Sequence, residues 1–140
     1  KPVMTASRPQ EKIPKKPPTE TDIQSSITHY LKIEPRVKLF LRINSGRAYV
    51  KGFMVRFYSL FMHGQERKSD SVSDIVGMLR NGKFFSLEVK KPGETPTEGQ
   101  SDFLEAVRQS NGIAGVVYCW QDAKALIDLG MPMEVTPCCG

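Results

Sequence analysis

Apolar positions along this 140-residue chain change period several times, and each change marks an element. Ile23, Ile27, Tyr30 and Leu31 recur at helical spacing behind Thr19, which follows two prolines and is placed to cap a helix. Pro35 predicts that this helix ends near Lys32. In RVKLFLRI, residues 36 to 43, the alternation of Val37, Leu39, Leu41 and Ile43 predicts a strand with those four side chains on one face. Asn44-Ser45-Gly46 reads as a turn, and the aromatic- and Val-rich stretch 47 to 61, broken by Gly52, as a second hairpin or a long bent strand. Residues 62 to 73 are polar and read as a mobile loop.

The second half is more regular. SDIVGMLRNGKFFSLEVK, residues 73 to 90, predicts two strands joined around Asn81-Gly82. Residues 95 to 110 predict a helix with Thr95 as N-cap, Pro96 at its first position and Glu98 completing a capping box; Asn111-Gly112 stops it. A buried strand over 113 to 119 and a short helix over 121 to 129 follow. The order predicts an α/β fold with a mixed sheet, the strand at 113 lying parallel to strand 84–90 through a right-handed helical crossover. Residues 1 to 18, with five prolines and no period, read as a flexible basic arm; 19 to 130 as one domain; 131 to 140 as a tail.

Hairpin register determines which side chains meet. A two-residue Asn-Gly turn would put Asp74 and Glu88 on opposite faces. A three-residue loop, Arg80-Asn81-Gly82 with Gly82 left-handed, pairs Leu79 with Lys83 and therefore Asp74 with Glu88. Ile75, Gly77, Leu79, Phe85, Leu87 and Val89 then form a face without a polar side chain. The opposite face carries Asp74, Glu88 and Lys90 at the open end of the hairpin.

Two carboxylates opposed across a ladder repel, and in a dry setting one pKa rises strongly. A divalent cation removes that conflict: Mg²⁺ takes one or two carboxylates and completes its shell with waters and phosphate oxygens. Lys90 beside the pair suits a scissile phosphate and its attacking water.

Charge distribution agrees with a polyanionic substrate. Residues 36 to 68 hold eight Lys/Arg and one Glu, whereas 69 to 140 hold six Lys/Arg and ten Asp/Glu. Arg42, Arg47, Lys51, Arg56, Arg67 and Lys68 of the basic segment are the candidates for phosphate contacts. Uneven surface charge without function is the competing explanation.

Asp74, a short hairpin and Glu88-Val89-Lys90 resemble the D…(D/E)-x-K signature of the PD-(D/E)XK nucleases. The surroundings resemble the VRR-NUC domains: TETDIQSSITHYL, RINSG, SDIVGML, LEVKKPGETPTEGQSDFL and GIAGVV occur in that order over residues 19 to 129. The resemblance implies a restriction-endonuclease-like αβββαβ core and a Mg²⁺- or Mn²⁺-dependent DNA endonuclease. It implies a metal held by Asp74, Glu88 and the main-chain carbonyl of Val89, with Glu20 of the first helix as a further carboxylate. Gln100 would be a catalytic amide, and Arg42 and Asn44 would support the phosphate or metal site. A homodimer acting on branched DNA such as four-way junctions is the implied assembly. A monomeric flap or single-strand nuclease and a non-catalytic nucleic-acid-binding module are the alternatives.

Other chemistries lack residues. Cys119, Cys138 and Cys139 have no zinc spacing, and His29 and His63 stand alone in the sequence. Ser71, Ser73 and Ser86 have no His–Asp partner set. No phosphate-binding glycine loop suggests a nucleotide cofactor. No apolar run is long enough to cross a membrane, and the Lys- and Pro-rich start lacks the apolar stretch of a signal peptide, so the expected setting is intracellular.

Overall fold

The computed structural model describes residues 16–43, 47–64 and 71–134. Their elements run α1 (Glu20–Ile33), β1 (Val37–Arg42), β2 (Arg47–Val50), β3 (Phe53–Arg56), β4 (Ile75–Leu79), β5 (Phe84–Val89), α2 (Glu98–Gln109), β6 (Ile113–Val117) and α3 (Trp120–Gly130). Four strands form a mixed sheet in the order β1-β4-β5-β6. The first two pairings are antiparallel; β5 and β6 are parallel, joined through α2. The short ribbon β2–β3 is a separate two-stranded sheet.

One face of the sheet carries the core. Ile75, Leu79, Phe85, Leu87, Val89, Ile113 and Val117 pack against Ile23, Ile27 and Leu31 of α1 and Ala123 and Ile127 of α3. On the other face α2 lies over β5 and β6 and buries Phe103 and Leu104. Phe85 closes the core face across from Gly77, its partner in the ladder. A Cβ on Gly77 would sit 2.5 Å from both the Leu39 carbonyl and the Phe85 ring, so the strand needs a glycine there for the ring to lie flat.

The β4–β5 loop has the expected three-residue form. Leu79 N–H donates to the Lys83 carbonyl, Gly82 N–H returns to the Leu79 carbonyl, and Gly82 is left-handed at φ 87°. Ile75 consequently pairs with Leu87 and Val76 with Ser86. Helix α1 begins as expected: Thr19 caps it, in a capping box with Asp22. Helix α2 ends in a Schellman motif, with Asn111 at φ 66° and Gly112 N–H donating to the Val107 carbonyl.

Two expectations are corrected. Strand β1 has a bulge between Val37 and Leu39, which reverses the alternation. Val37 is buried and Phe40 packs against the core, whereas Leu39 and Leu41 are exposed. Helix α2 starts two residues later than its sequence suggests: Thr97, not Thr95, is the N-cap, and Gln100, not Glu98, completes the capping box.

Arg36 locks the α1–β1 turn to the end of α3. Its guanidinium donates to Glu34 at 2.8 Å, to Asp128 at 2.6 Å and to the Met131 carbonyl at 2.9 Å. Both Arg36 and Glu34 are buried at the side chain.

Candidate metal and phosphate site

The functional candidates gather at the end of the sheet where β4 begins and β5 ends. Because Ile75 faces Leu87, Asp74 faces Glu88 one step further along the ladder, both on the face away from α1 and α3. Asp74 is fixed by the Val89 backbone N–H, which donates to its Oδ2 at 2.8 Å. Lys90 is fixed from the other side, its backbone N–H donating to the Val117 carbonyl at 3.1 Å. Its Nζ lies 3.8 Å from Glu88 Oε1.

Glu88 is the unusual member. It is only 2% exposed, and its Oε2 has no hydrogen-bond partner among the described residues. A buried polar atom without a partner costs about 1–3 kcal/mol, more when charged. Burial pushes the Glu88 carboxyl up to about 8; the nearby Asp74 carboxylate pushes the same way, Lys90 opposes, and the charge of Glu20 adds further upward pressure. Glu20, in the first turn of α1 and half-buried, therefore belongs to the same electrostatic group.

This donor set suits a hard divalent cation. An oxygen ligand that is buried, unpartnered and pressed against a second carboxylate is what such an ion would relieve. Among the described residues no three His, Cys, Asp or Glu side chains form a ready-made cage. Two close carboxylates could hold such an ion only with water or substrate oxygens in the other positions.

The other expected residues divide. Gln100 completes the capping box of α2, its Oε1 accepting the Thr97 backbone N–H at 2.8 Å. Arg42 donates to Gln24 Oε1 on α1 at 2.6 Å, one residue before Ile43, whose N–H donates to the Asp74 carbonyl at 2.7 Å. Lys51 is exposed at the tip of the β2–β3 ribbon, left-handed at φ 51° beside Gly52 at φ 81°. Arg47 and Arg56 are paired positions at the root of that ribbon. Asn44, Arg67 and Lys68 lie outside the described residues.

One contact was missed by sequence reasoning. Ser86 Oγ donates to Ser73 Oγ at 2.5 Å, and both residues are fully buried. The pair ties the residue before Asp74 to β5, two residues before Glu88, and so holds the acids in register from below. The only signal for it was that Ser86 shares the Glu88 face by alternation. No protein-family model, curated protein or solved structure matches this chain.

Proposed function

We propose that this chain is a Mg²⁺- or Mn²⁺-dependent endonuclease of the VRR-NUC type with a restriction-endonuclease-like core, hydrolysing phosphodiester bonds in branched DNA inside the cell as a homodimer. One observation carries the reading: Glu88 holds a buried, unpartnered carboxylate oxygen opposite Asp74, with Lys90 beside it. A non-catalytic module has no physical reason to keep two opposed acids in a dry site.

Asp74, Glu88 and the Val89 carbonyl would hold the ion, with Glu20 close enough to act on it through space or through water. When bound, the ion supplies Lewis-acid polarisation of the phosphate and positive charge against the transition state. Lys90 binds a non-bridging phosphate oxygen and stabilises the negative charge that grows on it as water attacks phosphorus in line with the leaving oxygen. A new P–O bond to water forms, the ester P–O bond breaks, and the proton lost by water goes to solvent or to a neighbouring carboxylate. Val89 N–H fixes the Asp74 carboxylate. Basic residues of the 36 to 68 segment hold the DNA backbone.

The test is cleavage of labelled duplex, flap and four-way-junction DNA with Mg²⁺, Mn²⁺ or EDTA. Wild type should cut with metal only, and Lys90→Ala should be slower by roughly 10²–10³-fold, the usual effect of losing one charge-stabilising donor. Equal cleavage by both proteins, or none by wild type with either metal, overturns the reading.

A further inference from the structure

The β2–β3 ribbon is built unlike the rest of the chain. Tyr49 is 79% and Phe53 76% exposed, and Val50, Met54 and Phe57 are also on the surface. Neither strand packs appreciably on another helix or strand, and none of the ribbon's described side chains belongs to the core. An isolated two-stranded ribbon is marginal in water, and exposed aromatics of this size call for a partner.

Charge selects the partner. Residues 47 to 56 contain Arg47, Lys51 and Arg56 and no acid. A second copy meeting this ribbon through a two-fold axis would oppose basic residues to basic residues. A polyanion with flat apolar rings complements both properties: phosphates meet the cations, and bases stack on the aromatics. Cross-strand register adds geometry. Tyr49 pairs with Met54 and Val50 with Phe53, so Tyr49 and Phe53 project from opposite faces of the ribbon. A ribbon inserted between two nucleic-acid segments would offer one ring to each side.

The root of the ribbon follows the site closely along the chain. Ile43 N–H donates to the Asp74 carbonyl, and β2 begins four residues later at Arg47. Four-residue strands reach about 13 Å from root to tip at ~3.3 Å per residue. With the four residues from Ile43 to Arg47 added, the tip lies within about 26 Å of Ile43 along the chain, roughly eight nucleotide steps at ~3.4 Å each.

We propose that the β2–β3 ribbon is a base-stacking wedge: Tyr49 and Phe53 stack on unpaired bases within about eight nucleotides of a phosphate held at Asp74, Glu88 and Lys90. This deepens the nuclease reading and rests on it for the placement of that phosphate. It defines the substrate as nucleic acid with bases exposed near the cut, and perfect duplex as a poor ligand.

The experiment measures binding of the full chain in EDTA, by fluorescence anisotropy. The ligands are a 20-nucleotide single strand, a four-way junction with 2-aminopurine beside the branch, and a matched duplex, at one salt concentration. Tyr49→Ala and Phe53→Ala should each weaken single-strand and junction binding roughly tenfold and leave duplex binding within about twofold. The 2-aminopurine signal change seen with wild type should disappear in the double variant and return with Trp at both positions. Wild type separates this proposal from the chemistry: ring-dependent binding in EDTA by a wild type that cuts no DNA with either metal sinks only the nuclease reading. Equal weakening toward all three ligands, or none, overturns the wedge. So does a double variant that turns a dimer into a monomer by light scattering while binding single strand normally, because the ribbon is then a protein interface. Neither ring is in the core, so circular dichroism and melting of both variants should match wild type.

Discussion

Asp74 and Glu88 face each other across the β4–β5 ladder, and their surroundings treat them unequally: Asp74 receives the Val89 N–H at 2.8 Å, whereas Glu88 Oε2 has no partner. Asp74→Asn keeps an acceptor for Val89 and removes a charge facing Glu88. It should leave stability in EDTA equal to or above wild type. Asp74→Ala also removes the charge but strands the Val89 N–H, and should be about 1–3 kcal/mol less stable than Asp74→Asn. Urea unfolding of the two variants at neutral pH measures the difference. If the two are equally stable, that hydrogen bond does not hold the site.

Glu88 makes stability depend on pH in a stated direction. Its folded carboxyl is raised to about 8, against an ordinary value of 4.5, by burial first and by Asp74 second. The folded state therefore keeps a proton that the unfolded chain releases between these values. The stabilisation is complete below about pH 4.5 and is lost as pH rises through about 8. In EDTA the melting temperature should fall across that window, and Glu88→Gln should flatten the fall. An unchanged slope in Glu88→Gln would show that another group causes it.

On the proposed function the same proton competes with a cation. Mg²⁺ or Mn²⁺ at millimolar concentration should raise the melting temperature more at pH 8 than at pH 6, because binding needs the charged carboxylate. Asp74→Asn and Glu88→Gln should each abolish the metal-dependent rise. A rise of equal size in wild type and Glu88→Gln would place the ion elsewhere.

The pairing of Asp74 with Glu88 was legible because two independent signals agree: strict alternation on 75–79 and 84–89, and a glycine where a three-residue loop needs a left-handed residue. The face of β1 was not legible, since Leu39, Phe40 and Leu41 are all apolar and one bulged residue decides which of them points inward. The start of α2 failed for a related reason. Thr95 and Thr97 are both able caps, and Pro96 favours the first, but the reciprocal bond of Gln100 to Thr97 N–H selects the second. That bond gives Gln100 a capping role on α2. Arg36 and Asp128 lie 92 residues apart, and no periodicity reports such a contact.

Gly77 tests the packing beneath the site. Alanine there would place its methyl against the Leu39 backbone and the Phe85 ring, and backbone cannot yield as a flexible side chain can. Gly77→Ala should cost about 1–3 kcal/mol, the range for overpacking a filled core. Gly77→Ala combined with Phe85→Leu should recover part of the loss, because one of the two clashes is removed. Calorimetric melting of the three variants decides it. A fully additive double variant would mean that the ring is not the obstacle.

Arg36 provides the opposite pH signature to Glu88. The Arg36 guanidinium beside Glu34 holds that carboxyl below its ordinary value, chiefly through their hydrogen bonds. A depressed carboxylate stabilises the fold above its unfolded pKa of about 4.5 and loses that contribution as pH falls through its lower folded value. The Glu34 effect therefore lies in the acid limb, below the window in which Glu88 acts. Arg36→Met leaves Glu34 buried without its cation and should cost about 3–5 kcal/mol at pH 7. The loss should shrink at pH 3.5, where Glu34 can take a proton. Asp128 is far more exposed, so its pairing with Arg36 should contribute much less than that of Glu34. Double-mutant cycles for Arg36 with Glu34 and with Asp128 measure both couplings, and similar values would contradict the burial argument.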